Sequence, residues 1–197
     1  ADDMGLGKTL QVICYLLSEY QEREIQEKSK KEPVEKEQDI ENEGRQREKE
    51  SSDDRLRRNA LIVAPASLVY NWHSELERFA PRLAVRMIVG TAAQRRTLLE
   101  AADEGEILIT SYDLLRRDID FYKKYRFRCQ IIDEAQYIKN HSTQAAKAVK
   151  KIQADTRFAL TGTPVENRLS ELWSIFDYLM PGFLYSYSRF REELEAV

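Results

Sequence analysis

Two short stretches of this chain carry residue types that can do chemistry at the spacing that chemistry needs. The first is Gly5-Leu6-Gly7-Lys8-Thr9, which leads into an apparent helix. Glycines let backbone N–H groups turn inward around phosphate oxygens, and the helix N-terminus adds a favourable dipole. In such a loop Lys8 would reach the β- and γ-phosphates, and the Thr9 hydroxyl would take a Mg2+ coordination position. The generic formula places a glycine five residues before Gly7, where this chain has Asp2. The second stretch is Gln130-Ile131-Ile132-Asp133-Glu134-Ala135-Gln136, an apolar run ending in two adjacent carboxylates. Side chains diverge at a strand end, so Asp133 would hold Mg2+ through water while Glu134 orients and deprotonates an attacking water. The bland alternatives are a glycine-rich turn with a chance Lys-Thr, and a pair of acids that merely cap a helix.

A third stretch, Leu160-Thr161-Gly162-Thr163-Pro164, offers two small hydroxyls around a glycine turn. Such a turn can exchange hydrogen-bond partners when a γ-phosphate leaves, although alone it could be ordinary.

These stretches need elements to position them. Thr9 to about Glu19 reads as a helix with Leu10, Ile13, Cys14 and Leu17 on one face. Strands are expected at Ala60–Ala64, Ala84–Val89, Glu106–Thr110, Arg128–Ile132 and Arg157–Leu160. Between them fall helices led by Leu68-Val69-Trp72-Leu76-Phe79, by Ala92 to Ala101, by Tyr112–Leu115 and by Ser142–Ile152. Leu169, Leu172, Trp173, Phe176 and Leu179 mark a last helix, and Ser67 can cap the helix led by Leu68. Short apolar strands alternating with helices predict an α/β fold: a parallel sheet covered on both faces. Ligands sit beyond the carboxyl ends of such strands, where all three stretches fall.

Composition excludes several function classes. With 31 Lys and Arg against 34 Asp and Glu, bulk charge points to no polyanion, though a local basic strip can still bind phosphates. One such cluster, Arg116 and Arg117 with Lys123 to Arg128, is read equally well as a solvated helical face. Cys14 and Cys129 have no partner at ligand spacing and read as buried free thiols, and the isolated His73 and His141 predict no metal site. No apolar run approaches the ~20 residues of a membrane helix, and the N-terminus has no signal-peptide character. A soluble cytoplasmic protein without a membrane partner is expected. Between residues 21 and 58, 24 of 38 residues are charged, too many to bury a core. This segment reads as a solvated insertion, partly helical toward Pro33 and partly disordered, with a partner-docking arm as the alternative.

The motifs in order resemble the Swi/Snf-type ATPases of helicase superfamily two. The resemblance rests on Asp2-Asp3-Met4-Gly5-Leu6-Gly7-Lys8-Thr9, Asp133-Glu134-Ala135-Gln136 and Leu160-Thr161-Gly162-Thr163-Pro164. Pro65-Ala-Ser-Leu-Val-Tyr-Asn-Trp72, Ile109-Thr-Ser-Tyr-Asp-Leu-Leu115, Ile138-Lys-Asn140 and Asn167-Arg-Leu-Ser-Glu-Leu-Trp173 add to it. In this family the position of Asp2 is commonly not glycine. His is usual where Gln136 stands, and Val165-Glu166-Asn167 is more like the bacterial branch.

The resemblance implies a RecA-like P-loop lobe. Asp3, Met4, Gly5, Leu6, Gly7, Lys8 and Thr9 would bind ATP, with Lys8 and Glu134 catalytic and Thr9 and Asp133 on Mg2+. Gln136, Thr161, Gly162 and Thr163 would couple hydrolysis to movement. Ser67, Asn71, Ser111, Tyr112, Lys139 and Asn140 would face the phosphate backbone of duplex DNA without reading bases, with Ser67 as helix cap equally open. It divides the chain into a P-loop and first helix (1–20), the insertion (21–58) and the rest of the lobe (59–197). It further implies that the strand before the P-loop is missing, that a second RecA-like lobe lies elsewhere in a longer protein, and that this piece alone is weak or inactive. An RNA- or RNA-polymerase-associated ATPase and a non-catalytic docking piece are the alternatives. A bacterial, nucleoid-associated location is expected.

Overall fold

A computed structural model describes residues 7–31, 56–162 and 169–194. Five strands form one sheet: β1 Leu56–Ala64, β2 Val85–Met87, β3 Ile107–Ser111, β4 Tyr125–Ile132 and β5 Gln153–Ala159, in the order β2-β3-β1-β4-β5. Every pairing is parallel, with Ile62 between Ile109 and Ile131. The helices are α1 Lys8–Lys31, α2 Val69–Phe79, α3 Ala92–Glu100, α4 Tyr112–Tyr122, α5 Gln144–Lys151, α6 Leu169–Leu179 and α7 Tyr187–Leu194.

Alternation along the central strands sorts their side chains into two cores. Leu61, Val63, Leu108 and Ile132 face one side, packed with Leu99 of α3, Leu115 of α4, Val149 of α5 and Tyr178 of α6. Ala60, Ile62, Ile107, Ile109 and Ile131 face the other, packed with Ile13 and Leu16 of α1 and Trp72 and Leu76 of α2. Residues Ala60 to Ala64 are fully buried, as a strand covered on both faces must be. Between α3 and α4, Arg95 pairs in a buried, bidentate way with Asp118, so neither charge is left uncompensated. Among the described residues no helix is long and apolar enough to cross a membrane.

Several elements differ from expectation. In α1 the inward face is Val12, Ile13 and Leu16, while Leu10 and Cys14 are exposed. Apolar residues occupy most of that helix's early circumference, so periodicity alone does not fix its phase. Cys14 is therefore not a buried thiol. Cys129 is, and burial pushes its thiol up to about 12. Strand β1 begins at Leu56, inside the stretch read as charged insertion, because Leu56 to Arg58 pair in register with Tyr125 to Phe127. There the Arg58 guanidinium lies over the Tyr125 ring, 4.7 Å from its centroid. In the same way β5 begins at Gln153, in a stretch with polar, half-exposed residues that only pairing with β4 makes a strand. Helix α7 has no counterpart in the sequence pattern, since among its residues 187–193 Phe190 alone is buried.

Candidate functional site

The carboxyl ends of β1, β3, β4 and β5 all open onto one edge of the sheet. Gly7 takes φ +80, a conformation glycine adopts without penalty, and its carbonyl accepts the first α1 bond from the Gln11 N–H, at 3.0 Å. Lys8 and Thr9 then begin α1, whose first turn holds no acidic residue. The positive end of such a helix favours an anion. Across from it β4 ends, and Asp133 and Glu134 follow. Gly7, Lys8, Thr9 and Leu10 line one cavity of about 430 Å3 together with Asp133, Glu134, Leu68, Asn71 and Glu75. The phosphate-loop residues and the paired acids therefore converge.

Asp133 is held at both oxygens. Its Oδ2 accepts from the Trp72 indole Nε1–H at 2.8 Å, and its Oδ1 from the Glu134 backbone N–H at 2.8 Å. Its main chain is held too: the N–H donates to the Val63 carbonyl, and the carbonyl accepts from the Tyr112 hydroxyl at 2.7 Å. Burial raises the Asp133 carboxyl above its ordinary value. The Trp72 and Glu134 donors pull it back, the neighbouring Glu134 charge pushes it up, and Lys8 pulls it down.

Glu134 sits in the left-handed region, φ 50 and ψ 57, which costs a residue with a Cβ about 1–2 kcal/mol. That turn carries the chain from β4 into a 3-10 turn at Ala135–Ile138. Gln136 Nε2–H donates to Glu134 Oε2, and Gln136 Oε1 accepts from the Thr161 hydroxyl at 3.2 Å. One amide thus bridges the acid pair and the turn after β5, in the only orientation that serves both bonds. Gly162 follows Thr161. Asp3, Met4, Gly5, Leu6 and Thr163 lie outside the described residues.

The oxygen donors suit Mg2+. Asp133 and Thr9 are hard ligands facing one cavity, and each Asp133 oxygen keeps a lone pair beyond the bond it accepts. Among the described residues no three His, Cys, Asp or Glu side chains converge as a protein-only metal cage. Mg2+ needs none, because it is commonly held by one or two protein oxygens with phosphates and water completing the shell.

The six residues expected at a phosphate backbone do not share one surface. Ser67 and Asn71 are exposed, and Ser67 does not cap α2, whose N-terminus has no side-chain cap. Ser111 and Tyr112 are instead buried. Ser111 Oγ caps α4 by accepting from the Leu114 N–H, and the Tyr112 hydroxyl is committed to Asp133. Lys139 Nζ lies 3.4 Å from Glu171, with a mostly buried side chain, and Asn140 Oδ1 accepts from the Ser142 N–H and hydroxyl. Ser111, Tyr112 and Lys139 are engaged within the lobe, whereas Ser67 and Asn71 present polar tips outward, and Asn140, although bonded to Ser142, is exposed as well. In the basic cluster, Arg116 pairs with Asp113, Lys123 with Asp120 and Arg126 with Asp155, as a solvated ionic face does.

Sequence reasoning misses Trp72 as a partner of Asp133. It counts Trp72 among the apolar face of α2, and the one available signal is that a buried indole N–H must find an acceptor.

The architecture matches that of solved proteins. The Sulfolobus solfataricus SWI2/SNF2 ATPase core in complex with dsDNA is 33% identical with a TM-score of 0.70, covering 98% of this chain and 33% of that one. The same organism's SWI2/SNF2 ATPase core domain gives a TM-score of 0.68 at 35% identity, over 98% of this chain and 32% of that one. By sequence, a protein described as an uncharacterized ATP-dependent helicase of Mycoplasma pneumoniae is 40% identical over 99% of this chain and 16% of its own length. The TATA-binding protein-associated factor MOT1 of Saccharomyces cerevisiae is 39% identical over 97% of this chain and 9% of its own. The chain therefore spans a third or less of the proteins it matches. Its parallel sheet is that of the RecA-like SWI2/SNF2 core, residues 1–196 match the SNF2-related domain, and the chain belongs to that family.

Proposed function

We propose that this chain is the ATP-binding and ATP-hydrolysing lobe of a DNA-dependent translocase. One observation carries the reading: Lys8 and Thr9 line the same 430 Å3 cavity as Asp133 and Glu134, with Asn71 on its wall. Lys8 and the α1 N-terminus would hold the β- and γ-phosphates, and Thr9 and Asp133 would hold Mg2+. When bound, Mg2+ would offset charge building on the phosphate oxygens. Glu134 would take the proton of the attacking water. Gln136 occupies its Oε2, which leaves Oε1 for that water. Through Thr161, the same amide would carry the loss of the γ-phosphate to the turn after β5.

Duplex DNA as partner is supported by the similar Sulfolobus core, which was solved in complex with dsDNA, and by the outward Ser67 and Asn71, whose donors would position a backbone rather than read bases. The share of each relative covered supports a second RecA-like lobe in the full-length protein, needed for full turnover. A bacterial, nucleoid-associated setting rests on Val165-Glu166-Asn167.

The test is Glu134→Gln in the full-length protein, assayed with duplex DNA, RNA or neither. Turnover should fall at least about 10²-fold while nucleotide binding persists, and duplex DNA should stimulate the unaltered protein more than RNA. Undiminished hydrolysis would remove Glu134 from its role, and stimulation by RNA alone would replace DNA as the partner.

A further inference from the structure

Residues beside both turns expected to face nucleic acid are bonded to Asp133, the aspartate proposed above to hold Mg2+. Trp72 follows Asn71 on α2 and is 1% exposed, yet its indole nitrogen reaches Asp133 Oδ2 at 2.8 Å, 61 residues away in sequence. Tyr112 opens α4 directly after β3 and holds the Asp133 carbonyl at 2.7 Å. Its ring stacks on Tyr137, 5.1 Å between centroids and 4° from parallel. A buried indole N–H needs an acceptor, and a main-chain carbonyl would serve. Here the acceptor is the carboxylate that the proposed function assigns to Mg2+.

We propose that Trp72 is a positioning residue, fixing the Asp133 carboxylate and making its orientation depend on where α2 sits. The inference rests on the reading of Asp133 as the Mg2+ ligand. Asn71 projects from α2 into water while Trp72, one residue on, projects inward to the carboxylate. The helix is rigid over one residue, so a contact that shifts Asn71 shifts the indole. Without the indole N–H, the carboxylate keeps among the described residues one hydrogen-bond donor, the Glu134 backbone N–H, with the Lys8 charge nearby, and its plane is freer to turn. A phosphate backbone seated on the Ser67–Asn71 turn would then be felt at the metal before any substrate atom moves. By linkage, Mg2+ with nucleotide would tighten the same turn on DNA.

The experiment uses the full-length protein and reads binding of a fluorescent ADP as Mg2+ is titrated, with and without duplex DNA. Trp72→Phe keeps the buried ring and removes the donor. In the unaltered protein, DNA should lower the Mg2+ concentration for half-maximal binding severalfold. In Trp72→Phe that concentration should rise about tenfold, and the DNA effect should vanish. Leu76→Ala, which empties a fully buried site in the same core, serves as the packing control and should leave the Mg2+ dependence in place. If Leu76→Ala reproduces the Trp72→Phe result, loosened packing explains it and the proposal is overturned. An unchanged Mg2+ requirement in Trp72→Phe overturns it as well. Should Trp72→Phe not fold, the indole N–H resonance of the unaltered protein decides: a shift on adding Mg2+ with ADP supports the tether, and no shift rejects it. Absence of any Mg2+-dependent nucleotide binding in the unaltered protein would instead remove the nucleotide site itself.

Discussion

After β1 and after β3 the chain makes two strand-to-helix turns side by side on the same sheet edge, each carrying a serine and a second polar residue. After β1, Pro65 and a 3-10 turn at Ala66–Leu68 intervene before α2, and Ser67 and Asn71 end up in water. After β3 the strand passes straight into α4, leaving Ser111 and Tyr112 only 3% and 4% exposed. The same kinds of group therefore do opposite work. Ser111 satisfies a helix end, and Tyr112 satisfies a carbonyl beside the acid pair, where burial carries its hydroxyl well above the ordinary tyrosine value. One extra turn of backbone decides whether a polar side chain is a fastening or an exposed tip.

Mutations on the two turns can break this contrast, and the largest effect should come from the inner one. Tyr112→Ala removes a buried ring and leaves the Asp133 carbonyl short of a donor. By analogy with other buried aromatic truncations it should cost about 3–5 kcal/mol, read by calorimetry. Ser111→Ala should cost about 1 kcal/mol through the lost cap of α4. Smallest in stability, Ser67→Ala and Asn71→Ala should stay within about 0.5 kcal/mol. Their effect belongs in a different measurement, a severalfold weaker stimulation of hydrolysis by DNA. A loss of stability at Asn71 as large as that at Tyr112 would erase the distinction.

The same contrast marks how far the sequence can be read. That Lys8, Thr9, Asp133 and Glu134 meet at one cavity is legible because strand-helix alternation places both groups on one edge of the sheet. Ser111 and Ser67 are not separable, since each is a serine shortly before an apolar helix and only the backbone path tells them apart. Trp72 counts as apolar mass because periodicity weighs the ring and ignores its one donor. In α1, Leu10, Val12, Ile13, Cys14, Leu16 and Leu17 surround the axis, so the buried face is set by packing against α2 and the sheet, where Tyr15 meets Phe158 of β5, and not by pattern. Strands β1 and β5 run further than their apolar segments because pairing with β4 overrides local composition.

The left-handed backbone at Glu134 has an evolutionary reading. Asparagine or glycine would rest there with less discomfort, so a screen that rewarded heat tolerance alone would drift toward them and discard the carboxylate. On the proposed role of Glu134, a glutamate at so awkward a bend is what selection for turnover, rather than for durability, would leave behind.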